Sequence, residues 1–307
     1  MVIPTYNRSD LLVRAVHSVI AQTYEPTEII VVDDHSPIPA VDTIAASDID
    51  RCNLTVIRHP SNRYVAAARN TGIAEATGDW VAFLDDDDEW HPAKLDRQVS
   101  AVTSAGADAV YTGIEQREDG RLLARKDPIT RATINDLFHR NVIGTPSTIV
   151  ARRTLLEEIN GFDETLPSWQ DWDLYLRVAE RGKIIGIPGA LTIQHAHDGH
   201  QMSDSYRERV TVTAPMMRHK HGKRSRRHGH QHVFEAALEA ELGWSALNAG
   251  EIDHARHHFR SSLSHQHTVE RMIMTIMTLG GQRCYELARA IKAALPGGYK
   301  FKATRPR

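Results

Sequence analysis

Cysteine is nearly missing from this chain. Its two residues, Cys52 and Cys284, stand far apart and without a metal-ligand spacing. That excludes a disulfide framework or a thiolate zinc site and fits a reducing compartment. Long apolar runs are missing as well: no stretch approaches the roughly 18 to 20 residues of a membrane span, and no charged-then-apolar leader opens the sequence. Neither sign of charge dominates. Thirty-seven Lys and Arg face 39 Asp and Glu, so no global attraction to nucleic acid is expected. Glycine is absent from Thr5-Tyr6-Asn7-Arg8-Ser9, just after the first apolar segment, which argues against the Gly-rich phosphate loop of a nucleotidyltransferase. What is left is a 307-residue globular chain, long enough for one large domain or for one domain and an extension. A cytoplasmic location is expected, with peripheral contact at the inner membrane face compatible with it. The first apolar run, Met1-Val2-Ile3, is shorter than an ordinary central strand of five or six residues, so the true amino terminus is expected a few residues upstream.

Against these absences stands one conspicuous presence, the run Asp85-Asp86-Asp87-Asp88 behind the apolar segment 78–84. Four successive carboxylates repel one another, and a folded chain keeps them together only with positive charge among them. Hard divalent cations, Mg²⁺ or Mn²⁺, take oxygen ligands and bridge one or two carboxylates to substrate phosphates. A solvated acidic loop is the ordinary alternative. The context favours a site: the preceding segment reads as a short buried strand, and open α/β sheets bind ligands at the carboxyl ends of their strands.

The first 110 residues alternate strands and helices: strand-like runs at 28–32, 54–57 and 78–84, and helical patterns at 9–22 and 66–76. That order predicts an α/β fold with a doubly wound sheet. Further strands are expected at 109–112, 147–150, 184–187 and 191–193, a short helix at 153–159 and an amphipathic helix at 170–180. From 218 to 232 the sequence carries six Lys/Arg and five His without apolar periodicity. It reads as a solvated linker, with attachment to an anionic membrane surface or lipid-diphosphate second and adventitious metal binding by the histidines third. Nucleic-acid binding would need interleaved aromatics, and none are present. Beyond 233 the pattern is helical, and 242–259 weakly resembles one tetratricopeptide-type hairpin, which must pack on the main domain or offer a protein partner a surface.

Five motifs fall in order: Ile3-Pro4-Thr5-Tyr6-Asn7-Arg8, Val31-Val32-Asp33-Asp34-His35-Ser36, Ala68-Arg69-Asn70-Thr71-Gly72, Phe83-Leu84-Asp85-Asp86-Asp87-Asp88 and Gln170-Asp171-Trp172-Asp173. Together they resemble a family 2 glycosyltransferase over residues 1–205. The resemblance implies a GT-A-type doubly wound mixed sheet with helices on both faces, a nucleotide-diphospho-sugar donor, a Mg²⁺ or Mn²⁺ ion, and inversion at the anomeric carbon. The acceptor it implies is a hydroxyl of a glycan or lipid-linked saccharide. The organisation is then a catalytic domain over 1–205, a basic linker over 206–232 and a helical extension over 233–307.

The roles follow the motifs. The family's D-x-D falls on Asp85 and Asp87 as metal ligands, and the run contains a second, overlapping match, so Asp86 can substitute. Asp88 reads as a cap or supporting group, because Trp90-His91-Pro92 is expected to open a helix. Pro4, Thr5 and Tyr6 would line the nucleotide base, Asp34 would accept its N–H, and Arg63 or Arg69 would reach the diphosphate or the base. Asp171 stands at the family's general base, with Gln170 where Glu is usual, and its helix amino terminus is expected to favour the ionised carboxylate. Asp173 is expected to pair with Arg177 at i+4. Trp169 and Trp172 flank the base and are candidates to stack on an acceptor sugar. In Gln194-His195-Ala196-His197, the family's closing segment, His197 is the first candidate for a further metal or diphosphate ligand and His195 the second. The competing readings are a non-catalytic scaffold of the same fold, a nucleotidyltransferase and a receiver-like acidic pocket; the last leaves Asp171 and the His segment unexplained.

Overall fold

A computed structural model of the chain describes residues 1–26, 28–45, 48, 53–195 and 205–279. His197, Cys52 and Cys284 lie outside the described residues, as does any helix beyond 279. The chain divides into two compact units. The first comprises 1–133, 142–164 and 170–196, and the second comprises 134–141, 165–169 and 197–307.

In the first unit, three parallel strands form one sheet: β1 (Val2–Thr5), β2 (Ile29–Asp33) and β3 (Leu54–Arg58), in that order. β1 and β2 are buried at every position, which is why they read as unbroken apolar runs rather than as alternation. Helix α1 (Ser9–Ile20) follows β1 and lays Leu12, Val16 and Val19 into a core with Ile3, Val31 and Leu84. Helix α2 (Tyr64–Glu75) crosses close to β1. A methyl group at Gly72 would come 2.3 Å from Val2 Cγ1, so this approach requires glycine.

A seven-stranded mixed sheet continues the fold. Its main path is β4 (Trp80–Ala82), β9 (Ile149–Arg152), β6 (Ala109–Glu118), β10 (Ile184–His195) and β5 (Asp88–Trp90); β7 (Arg121–Lys126) pairs with β6, and β8 (Arg131–Ala132) with β10. β6 and β10 are parallel, while β9 and β5 run antiparallel to their neighbours. The two sheets meet at one bridge, Val2 with Phe83, reinforced by the Leu84 N–H donating to the Val2 carbonyl at 3.0 Å. The α/β class, the mixed sheet and the elements around it match the sequence expectation.

Two local expectations need correction. Trp90-His91-Pro92 does not open a helix. Asp88–Trp90 is a strand on β10, and helix α3 starts only at Lys94 (Lys94–Ala105). The runs 184–187 and 191–193 form one strand, β10, whose register against β6 shifts between Gly186 and Thr192. Bulges of this kind break hydropathy alternation and look like gaps in a sequence.

The second unit is helical. It contains α4 (Ile134–His139), a turn at Tyr206–Glu208, a π-helical turn at Arg209–Thr213, α7 (Ala214–Arg227), α8 (Gln231–Asn248), α9 (Ile252–His265) and α10 (Val269–Leu279), with α5 (Arg153–Glu158) and α6 (Gln170–Arg181) belonging to the first unit. The hairpin expected at 242–259 is α8 against α9, where Trp244 meets Phe259 edge-on at 5.4 Å. The expected linker is instead mostly helix. α7 buries Ala214, Met217, His221 and Ser225; these follow helical spacing, but two of the four are polar, so hydropathy alone hides the pattern. No described helix is long and apolar enough to cross a membrane.

Candidate active site

The acidic run follows β4, and burial alternates along it: Asp86 and Asp88 turn inward, while Asp85 and Asp87 keep partial exposure. This separates the two overlapping D-x-D matches. Asp86 accepts from the Thr5 hydroxyl at 2.8 Å and from Arg8 Nη1 at 3.1 Å. Burial pushes its carboxyl up to about 6 against the pull of Arg8, with Asp87 adding to the rise. While Asp85 and Asp87 remain partly exposed, Asp86 is thus held from inside the fold. Thr5, expected at the base, is the group that holds it.

Positive charge does sit among the carboxylates, and much of it is arginine. Arg8 Nη1 also lies 3.0 Å from Asp87, Arg14 donates to the Asp87 carbonyl at 2.8 Å, and Arg69 donates to Asp85 Oδ1 at 2.5 Å. Asp85 is further fixed by the Thr145 hydroxyl on Oδ2 at 3.0 Å and by its own N–H donating to Ser147 Oγ at 3.0 Å. The Trp90 indole N–H donates to the Ser147 carbonyl at 2.8 Å. Sequence reasoning did not single out Arg8, Arg14, Thr145 or Ser147 as partners of the run. Arg8 lies within a quoted motif, but no pattern pairs it with residues nearly eighty positions away.

The Arg69 side chain rests over the Phe162 ring, 5.1 Å from its centroid, and Phe162 meets Phe83 edge-on at 5.3 Å. Asn70 clamps that ring's backbone from both sides, donating to the Phe162 carbonyl at 2.9 Å and accepting its N–H at 2.7 Å. The Ala-Arg-Asn motif therefore delivers one cation to the acidic run and one amide to steady the ring under it. Arg63 is different. Its side chain reaches Glu164 at 3.2 Å on the surface, and its backbone N–H donates to Asp34 at 2.8 Å. Asp34 is buried and also accepts from His59 Nδ1 at 2.7 Å. Tyr6, 45% exposed, stands just past β1, whose last residue Thr5 accepts the Asp34 N–H. Pro4 is buried in that strand.

Helix α6 begins at Gln170 and carries Asp171 in its first turn. Here burial outweighs the helix terminus. The Asp171 pKa is raised, first by desolvation and then by Asp85, against the backbone N–H of Trp172 and the charge of Arg69. The expected depression of its basicity is thereby corrected. Tyr175, one turn on, is buried with its hydroxyl unpartnered among the described residues; its pKa is also raised, by burial and then by Asp171. Asp173 pairs with Arg177 as expected, at 2.9 Å to Nε. Trp172 is 2% exposed and belongs to the core, so it has no face to offer a sugar. Trp169 belongs to the second unit, where Arg209 lies 5.9 Å above its ring. His195 pairs with Glu89 at 2.9 Å.

The ligand set suits a hard divalent cation in chemistry: the carboxylates of Asp85 and Asp87, both partly exposed, and a buried Asp88 Oδ2 with no hydrogen-bond partner among the described residues. Among the described residues no three ligands converge into a ready cage. That is the arrangement of an ion shared between one or two carboxylates and substrate phosphates, so the residues fit such a group.

Comparison with known proteins now bears on this geometry. The amylovoran biosynthesis glycosyltransferase AmsB of Erwinia amylovora is 29% identical over 208 residues, 64% of this chain and 68% of that protein. The crystal structure of S. aureus TarS 1–349 in complex with UDP-GlcNAc covers 96% of this chain and 82% of that one, at 18% identity and a TM-score of 0.60. The mannosyltransferase PcManGT from Pyrobaculum calidifontis, in complex with GDP-Man and Mn²⁺, covers 95% and 84%, at 17% identity and a TM-score of 0.56. Those two likenesses carry the GT-A fold. The family model for glycosyl transferase family 2 matches residues 1–159, more than half of the sequence, and the chain belongs to that family.

Proposed function

We propose that the chain transfers a sugar, with inversion, from a nucleotide-diphospho-sugar to a hydroxyl of a saccharide or lipid-linked acceptor. The observation that carries this is the carboxylate run at the end of β4, with Arg69 on Asp85 at 2.5 Å and Arg8 on Asp86 and Asp87 at 3.1 and 3.0 Å. Asp171, in the first turn of α6, has its pKa moved by both Asp85 and Arg69. Asp171 takes the acceptor hydroxyl's proton as the acceptor oxygen bonds to the anomeric carbon. The bond from that carbon to the diphosphate oxygen breaks, and its electron pair leaves with the nucleoside diphosphate. A raised pKa makes Asp171 the stronger base once ionised. Arg69 and Arg8 lie beside the carboxylates, where they counter the charge of the departing diphosphate. A divalent cation held by Asp85 and Asp87 would supply further neutralisation of that charge, and His197 is a candidate to complete its ligands. Tyr6, Pro4 and Asp34 form the wall assigned to the nucleotide base.

The division of labour that goes with this reading is a catalytic domain over 1–205, with 206–232 and 233–307 serving attachment or partners. The UDP-GlcNAc bound by TarS, the GDP-Man bound by PcManGT and the amylovoran biosynthesis of AmsB support the substrate class. Calorimetric titration with UDP, GDP and dTDP, with and without Mn²⁺, tests it. Metal-dependent binding of one of them, lost in Asp87→Ala, is expected. Failure of all three to bind in the presence of Mn²⁺ would reject the donor site.

A further inference from the structure

The basic run has become helix α7, and its faces are sharply divided. Six Lys and Arg and no Asp or Glu fall within Ala214–Arg227, in a chain where acids outnumber bases overall. Ala214, Met217, His221 and Ser225 face inward, while His219, Lys223, Arg226 and Arg227 are exposed. The exposed set recurs at i, i+4, i+7 and i+8, a single stripe on the side opposite the buried one. The helix dipole favours cations only in the last turn, and it gives no account of Lys223 or of the missing acids. Pro215 extends the stripe towards the amino end as an exposed apolar residue.

We infer that α7 docks the protein on an anionic lipid bilayer. A helical face that carries exposed cations and no acids is the chemistry that meets headgroup phosphates at an anionic bilayer surface. A single-stranded nucleic acid would instead call for aromatic platforms, and the exposed stripe of α7 has none. Attachment is peripheral, because no described helix spans a membrane. The inference goes beyond glycosyl transfer and does not depend on it.

Co-sedimentation of the full chain with phosphatidylglycerol–phosphatidylcholine vesicles, against pure phosphatidylcholine vesicles, tests it. The wild type is expected to partition onto the anionic vesicles and to be released by raised salt. The triple variant Lys223→Glu/Arg226→Glu/Arg227→Glu is expected to bind them at least about tenfold more weakly, since each cation near such a surface counts for several-fold in affinity. Metal-dependent nucleotide binding, unchanged in the variant, reports that it is folded; should neither protein bind nucleotide, matching thermal melts serve the same purpose. No partition of the wild type, equal partition of the variant, or equal binding to neutral vesicles would overturn the inference. So would displacement from the anionic vesicles by a short duplex DNA at equal charge concentration, which would make the stripe a general polyanion surface.

Discussion

Arg8 places one guanidinium nitrogen, Nη1, 3.1 Å from an Asp86 oxygen and 3.0 Å from an Asp87 oxygen. One cation thus spans a buried carboxylate and a partly exposed one. Truncation by Arg8→Met leaves both without that partner, and the partial exposure of Arg8 moderates the loss. We expect a destabilisation of about 1–3 kcal/mol. Mn²⁺ should raise the variant's melting temperature more than the wild type's, because an added cation then replaces a missing one. Equal shifts in a calorimetric scan would contradict this.

Asp171→Asn should abolish sugar transfer while leaving nucleoside diphosphate affinity within about twofold. In the wild type, the acid limb of the kcat/KM profile should lie above the ordinary carboxylate value of about 3.9, since burial raises the Asp171 pKa. The rate rises as pH climbs through that limb, because only the ionised form accepts a proton. A limb at or below the ordinary value would remove Asp171 as the titrating base.

Among the described residues the buried Tyr175 hydroxyl has no partner, which ordinarily costs about 1–3 kcal/mol. Tyr175→Phe should therefore leave the fold as stable as the wild type or more so, by up to about 1 kcal/mol in denaturant titration. A loss of more than 1 kcal/mol would mean that the hydroxyl is satisfied within the protein.

Lys94 is wholly buried, donates to Gln98 Oε1 at 2.6 Å and sits 3.8 Å from the centre of the Trp90 ring, and burial lowers its pKa far below the usual lysine range. Unfolding returns the group to water, where it gains a proton below about pH 10.4. The unfolded state then binds more protons, and stability rises with pH. Between pH 7 and 9 the wild type should gain up to about 1.4 kcal/mol per pH unit relative to Lys94→Met. Parallel stability curves for the two proteins would show that Lys94 stays charged in the fold.

Much of the first unit was legible because buried parallel strands are written as unbroken apolar runs, and a carboxylate run at a strand end has few other uses. The partners of that run were not legible. Four adjacent carboxylates require positive charge and suggest a metal; Arg8, Arg14 and Arg69 supply much of that charge, and only tertiary contacts bring them there. The choice between Asp86 and Asp87 likewise depends on which carboxylate turns inward, and adjacent identical residues give no sign of that. Trp172 shows the same limit from the other side, since an aromatic residue beside a presumed base looks the same on paper whether it stacks on a sugar or fills the core. Helix α7 escaped notice because His221 and Ser225 occupy core positions, which hydropathy reads as surface.

The two sheets of the first unit are stitched at Val2 and Phe83, and the acidic run lies immediately beyond that stitch. Thr5 and Arg8 reach across it to Asp86 and Asp87. The contacts that balance charge in the pocket are therefore also fastenings between two halves of a molecular frame. Loss of Arg8 should accordingly loosen the seam between the two sheets as well as leave Asp86 and Asp87 without a shared cation.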